Sequence, residues 1–188
     1  MKNIIIILAA VFLFSNNLFS QNVAEPEFVG ETILLGADDS AIPLEKSQAQ
    51  IKTNANAGAY IVGIGSIKTR LTVKKCCASV RVNQAEQIQL IVRSYDNYTD
   101  PLAVVTVFQF ESKKKERRAE LESESTFFGG TSSNNMTILP FSAKKFGESS
   151  YLLTLDNVQP GEYGVLVNTI DQRSTIVSCF GIDSNITE

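Results

Sequence analysis

The chain has 188 residues, with 17 basic and 20 acidic side chains for a net charge of −3, three cysteines, and neither histidine nor tryptophan. The missing histidine excludes Ser-His-Asp and Cys-His catalysis, His-ligated zinc and imidazole pH switching. The mildly acidic balance argues against a nucleic-acid partner, and no motif asks for a cofactor.

The chain opens MKNIIIILAAVFLFSNNLFS: one positive charge at Lys2, an apolar run from Ile4 to Phe14, then a polar patch ending in Ser20. This is the pattern of a secretory signal peptide. The apolar run is shorter than the roughly 20 residues a helix needs to cross ~30 Å of hydrocarbon, and no cysteine near the cleavage region takes a lipid. We expect export, cleavage before Gln21, no membrane span afterwards, and one domain over 21–188.

Short runs of β-branched or alternating apolar residues then dominate, separated by turn residues. They predict strands over 28–35, 59–67, 70–75, 80–82, 88–95, 103–110, 136–141, 151–156, 163–169 and 175–180. That many strands in one domain implies two packed sheets, an all-β sandwich of immunoglobulin-like or Greek-key type. Residues 44–53, LEKSQAQIKT, read equally as an edge strand or a short helix. Residues 111–125, ESKKKERRAELESES, break the pattern: helix by propensity or two strands projecting beyond the sandwich, and solvated in either case.

Three cysteines allow one disulfide and a free thiol. The simplest pairing joins Cys179 to one of the adjacent pair, drawn as Cys77–Cys179, because a vicinal Cys76–Cys77 ring strains the backbone. Three free thiols, or redox or metal chemistry, stay open as alternatives. A site of three thiols lacks the usual fourth ligand.

Candidate sites are few. Lys113, Lys114, Lys115, Arg117 and Arg118 form a basic run that suits an anionic polymer. Glu120, Glu122 and Glu124 follow and neutralise it locally, which fits an edge that resists sheet-to-sheet aggregation. Loop 95–101 offers Asp96 and Asp100, and Asp38-Asp39 lie earlier, but neither has the spacing of a calcium loop. Turn chemistry accounts for both. Asp96, Asp100 and Glu162 are the acids least unsuited to glycoside hydrolysis, which needs two carboxylates across a cleft. Pro160, Gly161 and Tyr163, in DNVQPGEYG, carry the order of a tyrosine corner: strand end, polar arch, Pro-Gly turn, then a tyrosine leading the next strand. Three sequons begin at Asn97, Asn135 and Asn185.

The strings LPFSAKKFGESSYLLTLDNVQPGEYGV and VSCFGID, reaching back to DPLAVVTVFQFESKKKERRAE, resemble a group of small secreted proteins common in Bacteroidetes bacteria that lack an assigned activity. The resemblance implies an exported β-sandwich, periplasmic or at the cell surface, and carries no catalytic residue with it. The function expected is a non-catalytic binding or structural module. It would present loops 95–101 and 128–135 and the basic arm to a cell-envelope protein or glycan. The alternative is a secreted carboxylate-dependent hydrolase acting on a polysaccharide.

Overall fold

A computed structural model describes residues 23–36, 40–55, 66–84, 87–125, 131–133, 136–168 and 175–184. The signal-peptide segment, Asp38-Asp39 and most of loop 128–135 lie outside the described residues. The strands are β1 (Thr32–Leu35), β2 (Ala41–Pro43), β3 (Glu45–Ala55), β4 (Ser66–Lys74), β5 (Arg81–Asn83) and β6 (Gln87–Arg93). After one helical turn, α1 (Pro101–Val104), come β7 (Val105–Ser112), β8 (Glu116–Ser125), β9 (Thr131–Ser133), β10 (Ser142–Phe146), β11 (Ser150–Asp156), β12 (Gly161–Val167) and β13 (Thr175–Asp183).

The fold is all-β in two sheets. Five strands pair antiparallel in the order β10-β11-β6-β1-β2. The others run β12-β7-β8-β4-β3-β13, and β12 also pairs with β13, so this second sheet closes into a six-strand barrel. β5 adds to β13 in parallel and β9 to β8.

Side chains alternate across a strand, and here both faces of the central strands are used. Val105 and Val107 of β7, with Tyr163, Val165 and Val167 of β12, meet Leu90, Val92, Leu153 and Leu155 of the five-stranded sheet. Phe108 and Phe110 turn the other way, to a second core inside the barrel with Leu71, Val73, Ala119, Val177 and Cys179. Strands buried on both sides need near-continuous apolar sequence, which is why FQF and YLLTL are legible. Gly164 is required in the barrel: a Cβ there would stand 2.6 Å from Phe108 Cζ and 2.8 Å from Phe110 Cε2.

Several expectations are corrected. Segment 44–53 is the inner strand β3, paired to β13 and β4. Between 136 and 141 only Ile138 bridges, to Phe108; Pro140 has no N–H to extend a ladder, and the strand forms later, as β10. The charged segment is two strands and not a helix: it forms the end of β7 and all of β8, and β8 lies between β4 and β7 in the barrel wall, with Arg117 and Ala119 buried rather than solvated. Its alternation of charged with small or long-stemmed residues supplies a strand period that overrides helix propensity.

Candidate functional site

One end of the barrel gathers the buried charge of the described residues. Glu45 of β3, Arg117 of β8 and Glu162 of β12 point inward, and Arg117 is 0 % exposed. Arg117 Nη2 lies 2.9 Å from Glu45 Oε1, and Nη1 lies 3.7 Å from Glu162 Oε2, near enough for attraction but outside hydrogen-bond reach. The guanidinium also sits 5.8 Å from the Phe110 ring centroid, a weak cation–π contact. Glu162 Oε1 accepts from Arg81 Nη1 at 2.6 Å, and Arg81 is held in turn by Asp183.

A loop closes this end. The Ala78 amide donates to Glu162 Oε2 at 2.7 Å, and the Ser79 amide and hydroxyl donate to Glu45 Oε2 at 2.6 and 2.8 Å. Burial pushes the Glu45 carboxyl up, but the Ser79 and Arg117 hydrogen bonds outweigh it and hold the group at about 2. Hydrogen bonds to Asp183 and Glu162 raise Arg81 further above its ordinary value. Unlike a free acid, Glu162 has both oxygens engaged, so the buried acid offered for hydrolysis is committed to structure.

The closing loop carries a correction. Cys76 and Cys77 are bonded to each other, and Cys179 is a free, buried thiol. Cys179 stands in the middle of the barrel wall, opposite Gly164 on β12 and Glu45 on β3, with its side chain in the inner core. Cys77 is exposed on the loop beyond β4. A Cys77–Cys179 bridge is therefore absent, and burial pushes the Cys179 thiol up to about 12.

Outside the same end, charge is differently disposed. Lys113, Lys114 and Lys115 form the turn of the β7–β8 hairpin and are exposed. The Lys75 amide donates to the Lys115 carbonyl at 2.9 Å, which brings Lys74 and Lys75 to this tip. Glu111 pairs with Lys113, and Glu116 with Arg118 and, at 3.5 Å, Lys52. No acid among the described residues pairs with Lys74, Lys75, Lys114 or Lys115. Glu120, expected to neutralise the run, instead meets Lys68 and Arg70 farther along β4. Between the strands, β3 and β4 pair only from Gln50 and Thr72 onward. The gap nearer the tip is a slot of about 480 Å³ lined by Glu45, Ser47, Ala49, Val73, Lys74, Lys75 and Ser79, among others.

The basic run thus divides. Arg117 is part of the buried network and Arg118 is half-buried against Glu116, while Lys114 and Lys115 are exposed with no acidic partner among the described residues. Lys74, Lys75, Glu45 and Arg81 are participants that the sequence reading missed. Lys74-Lys75 was visible as a basic pair, but nothing local told that a hairpin from beyond residue 110 would meet it.

Loop 95–101 lies at the other end of β7, ~25 Å away for a strand of 8 residues. Asp96 Oδ1 accepts the Tyr98 amide at 2.9 Å, and Asp100 caps α1 through the Leu102 amide. The Tyr151 hydroxyl ties down Thr99 at 2.5 Å. Both carboxylates therefore do turn work. Tyr98 projects, 84 % exposed, with Lys145 Nζ 4.3 Å from its ring centroid. The sequon residue Asn97 is buried, and its amide donates to Gly147 and Ser150 carbonyls. Asn135 and Asn185 lie outside the described residues.

At the arch before β12, the Tyr163 hydroxyl donates to the Gln159 carbonyl at 2.5 Å. The ring stacks on Phe180, with centroids 5.4 Å apart. Pro160 and Gly161 make the turn that lets Tyr163 reach back. This is the geometry of a corner, with Tyr163 supporting the fold.

Comparison with known proteins returned no matching family model, curated protein or solved structure. No helix among the described residues is long and apolar enough to cross a membrane.

Proposed function

We propose that the chain is a non-catalytic, exported binding module of the cell envelope, and that its basic barrel end holds an anionic partner, an acidic glycan. The observation that carries the reading is the convergence of Lys74 and Lys75 with Lys114 and Lys115, exposed and without acidic partners among the described residues. Clustered cations release counterions when they meet a polyanion. The rigid barrel beneath them, locked by Arg117, Glu45 and Glu162, keeps the cluster preorganised.

Export, a periplasmic or cell-surface location and kinship with the small secreted Bacteroidetes proteins belong to the same proposal, supported by the first 20 residues and the strings quoted above. The finer description of the fold, an immunoglobulin-like or Greek-key sandwich, is supported by the Tyr163 corner and by the five-stranded sheet stacked on β7 and β12. The absence of catalysis is supported by the carboxylates: Glu162 is saturated and Asp96 and Asp100 act as caps.

The test is binding of the purified protein to immobilised acidic and neutral polysaccharides. The expected result is retention on acidic polymers alone, with at least a ~10-fold loss for the variant K74Q/K75Q/K114Q/K115Q, about 1.4 kcal/mol. Equal retention on neutral polymers, or an unaffected quadruple variant, contradicts the proposal. Turnover of any polysaccharide in the panel, abolished by Glu162→Gln, Asp96→Asn or Asp100→Asn, restores the hydrolase.

A further inference from the structure

The three cysteines occupy opposed environments. Cys179 is 0 % exposed in the barrel core, where burial raises its thiol to about 12 and makes it inert. Cys77 is exposed and Cys76 half-buried, on a loop that follows directly after Lys74 and Lys75 and lies against the Lys114-Lys115 tip. Reactive sulfurs sit in electropositive, accessible surroundings of this kind, because nearby cations stabilise the thiolate. A stabilised thiolate is also the better leaving group in exchange.

From this placement we propose that Cys76–Cys77 is a thiol–disulfide exchange site that accepts electrons from a dithiol. The inference stands independently of the glycan reading. A thiolate of the dithiol attacks Cys77 Sγ, the accessible sulfur, forming a mixed disulfide. The Cys76–Cys77 bond breaks, and its electron pair stays on Cys76 Sγ as a thiolate, one residue after Lys75 in the chain. The second thiol of the dithiol gives its proton to solvent and attacks the mixed disulfide at the partner's own sulfur. That releases Cys77 as a thiolate. The dithiol leaves as a disulfide, the loop gains two electrons, and two protons from solvent complete the pair of thiols according to pH.

The loop also transmits its state. The Ser112 hydroxyl donates to the Cys76 carbonyl at 2.6 Å, and the next two amides, Ala78 and Ser79, close on Glu162 and Glu45. Opening the ring frees the peptide between the cysteines and loosens both contacts at the barrel mouth.

The test equilibrates the purified full chain with graded ratios of reduced to oxidised dithiothreitol, quenches with an alkylating reagent, and maps labelled cysteines by mass spectrometry. Cys76 and Cys77 are expected to gain label together while the chain stays folded, with Cys179 unlabelled until denaturant is added. Glutathione in place of dithiothreitol is expected to leave its adduct on Cys77. Raising salt, or the variant K74Q/K75Q, should slow reduction several-fold, on the order of two to five. Amide exchange at Ala78 and Ser79 should rise on reduction. Label on Cys76 and Cys77 before any reductant overturns the proposal, as does resistance of the bond to dithiothreitol until the chain unfolds. A reduction rate indifferent to both salt and K74Q/K75Q overturns the part assigned to the cations.

Discussion

Arg117 and Lys115 are two residues apart in one basic run, yet they meet opposite fates. Arg117 faces into the barrel, 0 % exposed and ion-paired to Glu45; Lys115 sits on the hairpin turn, exposed to solvent. The difference is produced by where the turn ends and β8 begins, since from Glu116 onward alternate residues enter the wall. Charge runs in a strand are thus sorted by parity, and only the part outside the strand is free to bind. A deletion of 113–118 would remove both functions at once, so substitutions are needed to separate them.

The largest effect should come from Arg117→Met, which takes the shared cation from half-buried Glu45 and buried Glu162. We expect a loss of about 3–5 kcal/mol in urea unfolding. A loss under about 1 kcal/mol would erase the contrast between the two halves of the run.

Acid should act on the same network. Glu45 is held near 2 against an ordinary value of 4.5, so its ionised form is favoured in the folded chain. Its contribution is complete above pH 4.5 and is lost as pH falls from 4.5 to about 2. Stability measured through that window should decline in the native protein, with a smaller decline in Glu45→Gln. Parallel curves would assign the acid sensitivity elsewhere.

Gly164→Ala sharpens the packing side of the comparison. The added methyl meets Phe108, Phe110 and Val177, and overpacking there should cost about 1–3 kcal/mol. Tyr163→Phe, which removes only the hydroxyl bond to Gln159, should cost about 1 kcal/mol by thermal unfolding. The smallest effect belongs to Lys114→Gln with Lys115→Gln: stability within about 0.5 kcal/mol of the native chain, despite reduced binding to an acidic polymer.

The sequence was most legible where one residue type answers to one local demand. Tyr163 after Pro160-Gly161 announces a corner because Tyr163 and its hydroxyl partner Gln159 are only four residues apart. The runs at β6, β7, β11 and β12 are readable because both their faces are buried. Barrel closure was not legible, since it depends on β12 pairing simultaneously with β7 and β13, a fact of long-range register. For the same reason Glu45 escaped notice: within LEKSQAQIKT it looks like any solvated glutamate, and its partners Ser79 and Arg117 lie 34 and 72 residues away. The cysteine pairing is not legible either, because local sequence shows the cost of a vicinal ring but not that Cys179 points into a packed core.

The measurement that bears most directly on the basic barrel end is the salt dependence of binding to one acidic polysaccharide, for the native chain and for K74Q/K75Q/K114Q/K115Q. If these lysines neutralise the polymer, the plot of log affinity against log salt should flatten by about 1 for each lysine that made a contact, while urea unfolding stays nearly unchanged. Identical slopes for the two proteins would place the anion elsewhere, and the convergence of the two lysine pairs would then have no part in binding.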